Sequence, residues 1–138
     1  MTDKTQLEEQ LAAVPVFAGL SRRHLSKLVG NSKETRHQAG HELAREGVGS
    51  LALHLITSGS AKVSVRGEDM RTLKKGDYFG EISLIDGRPR SATVTAETDL
   101  TTLAVPHVAF QKLLEEEPGF AAGLLKLVCA RLREAEAR

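Results

Sequence analysis

The sequence has a single cysteine, Cys129, so no disulfide can close within the chain, and a reducing, cytoplasmic setting is the expectation. It has no excess of charge of one sign. A formal net charge of +1 gives no electrostatic case for nucleic acid or an anionic membrane surface as a partner. No apolar run approaches the ~20 residues that cross a bilayer, and the opening MTDKTQLEEQ has no signal-peptide core. Repeats, low-complexity tracts and long linkers are missing too. So are the usual catalytic constellations. The histidines, His24, His37, His41, His54 and His107, are scattered with no His-x-His pair. His37 and His41 are four apart, but Ala39-Gly40 between them reads as a turn, so no metal site is expected. Serine and cysteine lack a credible base, and no enzymatic activity is expected. What is left, 138 residues with 41% hydrophobic and 27% charged content, is ordinary for a globular protein. It predicts one domain over 1–138 that buries about two-thirds of its unfolded surface.

The periodicity changes along the chain. Thr5 to Val14 reads as a helix, with Leu7, Leu11 and Val14 on one face, and Pro15 ends it. Ser21 is placed to cap a second helix whose inner face carries Leu25, Leu28 and Val29. From Lys33 to Val105 short strands alternate with glycine turns. They are predicted at Lys33–Gln38, His41–Arg45, Leu51–Thr57, Ser60–Val65, Met70–Leu73, Ser91–Ala96 and Leu100–Val105. Turns are expected at Ala39-Gly40, Gly47-Val48-Gly49, Ser58-Gly59 and Arg66-Gly67-Glu68. Many short strands with close turns predict an antiparallel barrel or jelly roll. Two helices follow, Pro106 to Leu114 and Phe120 to about Ala137, separated by a solvated run Glu115-Glu116-Glu117 and a break at Pro118-Gly119.

One stretch carries chemistry, Tyr78 to Val94, YFGEISLIDGRPRSATV. Ile82 to Ile85 is too short for an independent helix. Its use is to aim the backbone N–H groups of Gly80, Glu81 and Ile82 into a pocket, where they favour an anion. A carboxylate, Glu81, and a guanidinium, Arg90, accompany that turn. Together they suit a ligand with hydroxyls and a phosphate, Arg90 forking onto phosphate oxygens and Glu81 accepting from sugar hydroxyls. The plain alternative is a surface Glu–Arg pair worth about 0–1 kcal/mol.

FGEISLIDGRPRSATV resembles the phosphate-binding cassette of cyclic-nucleotide-binding domains, the family of the cyclic AMP receptor protein and the protein kinase A regulatory subunits. LSRRHLSKL resembles that family's N-terminal helical bundle. The resemblance implies a mainly β protein: an antiparallel, eight-stranded, jelly-roll-like β-roll with an N-terminal helical pair, a short cassette helix and two C-terminal helices. The corresponding ranges are 1–31, 32–105 with the cassette at 79–94, and 106–138. It implies that Glu81 holds the ribose 2′-OH and Arg90 the cyclic phosphate, with Ser91 and the amides of Gly80 and Ile82 completing the cradle. The ligand set is then Phe79, Gly80, Glu81, Ile82, Ser83, Arg90, Ser91 and Ala92. His54 stands where the family often has an aromatic, a departure read as packing.

The function this implies is a stand-alone sensor that binds a cyclic nucleotide, cyclic AMP in preference to cyclic GMP, and signals to a separate effector protein by movement of the last helix. The rival is a degenerate domain that binds no nucleotide and serves as a dimerisation or protein-interaction module. Ala135 and Glu136, where the receptor protein's adenine-contacting hydroxyl pair would fall, carry no hydroxyl, so that route to adenine is absent. Ser91 is compatible with either purine, but a threonine there more often accompanies cyclic GMP preference in the family, and cyclic AMP is the expectation. On the last helix Phe120, Leu124 and Leu127 are expected to face the roll. Ala121, Leu125, Val128, Leu132 and Ala135 form a seam for a homodimer or for a missing partner. Arg131 lies within the apolar arc. It is expected either to act as a lid, reaching toward Glu81 or the nucleotide, or to snorkel into water past the helix end.

Overall fold

The computed structural model describes residues 3–45, 47, 52–86, 88 and 92–137. Val48, Gly49, Leu51, Gly87, Pro89, Arg90 and Ser91, named above in turns, strands or the cassette, lie outside the described residues.

Helix α1, Lys4–Ala12, opens where the Asp3 carboxylate accepts from the Thr5 amide at 3.3 Å, and it buries Leu7 and Leu11. A single 3₁₀ turn, Pro15–Phe17, seats Val16 and Phe17 in the core. Helix α2, Arg22–Gly30, is capped by Ser21 as expected: its Oγ accepts from the His24 amide at 3.3 Å and lies 2.6 Å from His24 Nδ1.

Eight strands follow: β1 Lys33–His37, β2 Glu42–Ala44, β3 Ala52–Ser58, β4 Ser60–Val65, β5 Glu68–Lys74, β6 Tyr78–Phe79, β7 Thr93–Ala96 and β8 Leu100–Pro106. They form two antiparallel four-stranded sheets in the orders β1-β8-β3-β6 and β2-β7-β4-β5. Helix α3, Glu81–Asp86, separates β6 from β7, and helices α4, His107–Glu116, and α5, Pro118–Glu136, end the protein. The hairpin β4–β5 turns on two residues with left-handed backbone, Arg66 at φ 54° and Gly67 at φ 80°. That pairing matches the right-handed twist of the strands it joins.

Strand β3 is buried on both faces, from Leu53 through Thr57. Its Leu53 and Leu55 join Leu103 and Val105 of β8 beneath the helices, where Phe110 contacts Phe17 and Phe120 edge-on at 6.1 and 5.9 Å. Ile56 points the other way, into a second core inside the roll with Ala61, Val63, Leu73, Phe79, Val94, Ala96 and Leu100.

Three expectations change. The acidic run after α4 is not simply solvated. Glu116 pairs with Lys27 at 3.2 Å and Glu117 with His24 at 2.8 Å, tying the α4–α5 joint to α2. The break is one residue rather than two, because Pro118 takes the first helical position of α5, where its missing N–H costs nothing. On α5, Leu124 is buried and Phe120 and Leu127 are half-buried, as the spacing predicts. Their contacts, however, are with the helical core, since α5 packs on α4 and the 3₁₀ turn. Leu125, Val128 and Leu132 of α5 are exposed. Among the described residues no helix is long and apolar enough to cross a membrane.

Candidate functional site

The inner face of the sheet β2-β7-β4-β5 is a row in register. Ala44 pairs with Val94, Val94 with Val63, and Val63 with Arg71. Small side chains in the first three places leave room above the sheet, and the chain turns over that room at Phe79-Gly80-Glu81. Phe79 is buried at the end of β6. Gly80 has φ 91°, a conformation that a side chain would strain, and this turns the backbone directly into α3. The first helical bond of α3 runs from the Leu84 amide to the Gly80 carbonyl at 3.0 Å.

The result is a pocket of about 90 Å³, lined on one side by the row and on the other by Phe79, Gly80, Glu81, Ile82 and Ser83, with Ala92 at its end. Six of the eight residues expected at the site therefore share one pocket. Arg90 and Ser91 lie outside the described residues. Glu81, in the first turn of α3, is half-buried and has no ion pair or hydrogen bond to another described residue. Ser83 is buried and Ile82 is 60% exposed. A carboxylate held at a pocket wall without a partner among the described residues is an acceptor available to a ligand. A larger cleft, about 250 Å³, lies between α2 and α4 and contains none of the cassette residues.

Two features of the surroundings escaped sequence reasoning. Arg71 lines the pocket, is exposed, and has no hydrogen bond or ion pair with another described residue. The signal for it was Leu73 two residues on: Arg71 shares that residue's face of β5, and Leu73 is core. The second is a polar chain behind Phe79. The His54 ring stacks on Phe79 at 5.0 Å, and His54 Nδ1 lies 2.9 Å from Thr102 Oγ1. Thr102 Oγ1 is 3.0 Å from Thr35 Oγ1, which is 2.9 Å from His37 Nε2. The His37 ring stacks in turn on His41 at 5.1 Å. Burial, and secondarily the charge of His41, hold the His37 imidazole below its usual pKa. Among the described residues no group of three or more His, Cys, Asp or Glu could hold a metal ion.

Arg131 is exposed, not enclosed in an apolar arc. Its Nη2 donates to the Tyr78 hydroxyl at 3.5 Å, so the α5 guanidinium meets β6 one residue before Phe79 rather than at Glu81.

Residues 34–117 match the cyclic nucleotide-binding domain family. The chain is 38% identical over 106 residues to a cAMP-dependent protein kinase regulatory subunit of Yarrowia lipolytica, a match covering 75% of this chain and 28% of that protein. It is 34% identical over 104 residues to a cGMP-dependent protein kinase of Toxoplasma gondii, covering 75% of this chain and 10% of that one. The chain thus spans a small part of these relatives' length. Among solved structures, the N-terminal domain of a transcriptional regulator from Streptomyces coelicolor A3(2) superposes with a TM-score of 0.81 at 30% identity, over 93% of each chain. The catabolite activator protein of Thermus thermophilus gives 0.72 at 29% identity, over 89% of this chain and 60% of that one. With two four-stranded sheets and a pocket under the turn that opens α3, and with the family match running from β1 to the end of α4, the chain belongs to the cyclic nucleotide-binding domain family.

Proposed function

We propose that the pocket binds a purine cyclic nucleotide, with the sugar and cyclic phosphate under the α3 turn and the base over the row of small side chains. Glu81 carries this reading: it stands in the pocket wall without a partner among the described residues, where a ribose hydroxyl would satisfy it. Arg90 forks onto the phosphate, and Ser91 with the amides of Gly80 and Ile82 completes the cradle. Phe79, Ser83 and Ala92 close the walls. No catalytic step is involved, and the chain acts in the cytoplasm as one regulatory domain.

The output is a change in the position of α5. Arg131 supports this, because it already joins α5 to Tyr78, next to the pocket residue Phe79. Exposed Leu125, Val128 and Leu132 give α5 a face for a second copy or for an effector protein. Light scattering with and without ligand checks the homodimer, for which Leu125→Glu is expected to yield a monomer. A wild-type monomer in both states would assign the face to another protein.

Calorimetric titration with cyclic AMP and cyclic GMP tests the binding. Arg90→Leu leaves a phosphate unpaired and is expected to cost on the order of 3–5 kcal/mol, at least about a hundredfold in affinity. No binding of either nucleotide by the wild type would favour the rival reading, an interaction module with a lost site. The names of the relatives divide between cAMP-dependent and cGMP-dependent proteins. Cyclic AMP is the ligand expected to bind more tightly, and a titration in which cyclic GMP binds tighter would overturn that choice.

A further inference from the structure

We infer that a second pocket, between α1 and the β1 side of the sheet β1-β8-β3-β6, binds a small polar α-amino acid as its zwitterion. Its volume is about 330 Å³, and it shares no residue with the pocket under the α3 turn. Sequence spacing builds its walls. Gln6 and Gln10, four apart on α1, lie on one helical face. Glu34 and Arg36, two apart on β1, lie on one strand face, paired in register with Leu103 and Thr101. Leu103 belongs to the core that Leu7 and Leu11 of α1 also enter, so this is the face α1 covers. Lys75 comes from the turn between β5 and β6, which two bonds of 2.9 Å tie to β3. The Gly76 amide donates to the Ile56 carbonyl, and the Ile56 amide to the Asp77 carbonyl.

Two acceptors without donors point to the ligand. Oε1 of Glu34 and Oε1 of Gln10 are buried, and neither has a hydrogen-bond partner among the described residues. A buried acceptor left without a donor is costly, more so when it is charged. Both groups accept and one is anionic, so a cationic donor relieves them. An ammonium, with three N–H groups, can serve both. The last torsion of Glu and Gln is broad, which lets either side chain turn its oxygen toward the pocket. The same pocket carries two cations, Arg36 and Lys75, both exposed and without an ion pair to a described residue. Glu34 and Arg36 therefore share a pocket, opposite in charge, and do not pair. A ligand that brings an ammonium to one and a carboxylate to the other completes both, and a carboxylate matches the guanidinium fork. Every residue lining the pocket is polar, which favours a polar side chain on the ligand. A water takes up about 30 Å³, and the pocket is large enough to rank with small-molecule sites of about 300–1,000 Å³.

The experiment titrates the full chain with L-serine, with ethanolamine, which lacks the carboxylate, and with L-glycerate, in which a hydroxyl replaces the ammonium. Backbone-amide NMR shifts report where each binds. L-Serine is expected to shift the amides of Gln10, Glu34 and Arg36, and to bind at least about tenfold tighter than either analogue. Glu34→Gln is expected to weaken L-serine about tenfold and to leave L-glycerate within about twofold of its wild-type affinity. Arg36→Gln is expected to weaken L-serine about tenfold while sparing ethanolamine. Arg36 is exposed, so its variant decides the matter even if Glu34→Gln does not fold. No saturable shift with L-serine would overturn the inference and leave the pocket to water. Equal binding of ethanolamine would make this a cation site, and equal binding of L-glycerate an anion site; either would overturn the zwitterion. Shifts confined to other parts of the chain, or L-serine affinity unchanged in both variants, would overturn it by placing the ligand elsewhere.

Discussion

The two sheets of the roll are built from similar strands and put to opposite uses. The sheet β1-β8-β3-β6 turns Leu53, Leu55, Leu103 and Val105 outward, and the chain covers them with its own helices. The sheet β2-β7-β4-β5 turns Ala44, Val63 and Val94 inward and leaves the space above them as a pocket. Residue size makes the difference. Leucines on the first sheet meet Phe17 and Phe110 and exclude water; Ala44, Val63 and Val94 on the second join the inner core with Ile56 and Phe79 yet are small enough to leave a pocket beside it. One sheet is covered completely, and the other combines a core with room for a ligand. Side chains on the covered sheet should matter to folding, and those at the open sheet to the ligand.

Phe110→Ala breaks the covered side. Its ring is fully buried between Phe17 and Phe120, so truncation leaves a cavity and is expected to lower folding stability by about 3–5 kcal/mol. A urea titration measures it. If the change stays below about 1 kcal/mol, the helices do not hold the sheet in the way described.

Glu81→Ala tests the open side and should reverse that profile. Glu81 is half-buried and unpaired among the described residues, so its loss should leave the urea midpoint within about 0.5 kcal/mol of the wild type. Binding should weaken by roughly 1.5–3 kcal/mol, the range for a hydrogen bond to a charged group. The preference for ribose over 2′-deoxyribose should shrink with it. An equal loss for both sugars would remove Glu81 from the ribose.

The covered side was the more legible of the two from sequence. The Ser21 cap and the buried positions of α2 and α5 follow from local spacing alone, and on the open sheet so do β4 and its turn. The cassette was legible because its residues are contiguous, and Phe79 to Ser83 do share one wall. What stayed hidden depends on pairing between distant segments. Strand β6 has two residues, too few for an alternation, and exists through its bonds to β3. Arg71 in a polar stretch reads as solvent-facing. Alternation puts it on the inner face with Leu73, and a register shift between Val63 and Ser64 turns Asp69, two residues before it, out to Lys62. Glu116 reads as a solvated charge until the fold brings Lys27 to it across 89 positions. His54 reads as packing, and it is buried, but its partner Thr102 is 48 positions away.

That histidine leads to the smallest effect, at the seam between the two sides. The chain from His41 through His37, Thr35, Thr102 and His54 ends on Phe79, which belongs to the pocket. The groups facing His37 across this seam are His41 from the β1–β2 connection and His54 from β3, whose ring centre lies 6.4 Å away. Neither can stabilise a positive charge on it, and burial opposes one further, so the folded state lowers its pKa. The sign follows from proton uptake. Below about pH 6.5 the unfolded chain protonates this imidazole more readily than the folded protein does, so acidification favours unfolding. Above that value the contribution vanishes; as pH falls toward the lowered pKa, stability is lost, and below it the loss is complete. The urea midpoint of the wild type should therefore fall between about pH 7.5 and pH 5.5, and His37→Gln should fall less over the same interval. Other histidines titrate in that window as well, so the difference between the two proteins is the informative quantity. Identical slopes would mean that the lowered pKa of His37 does not bear on folding, and that the seam is insensitive to acid.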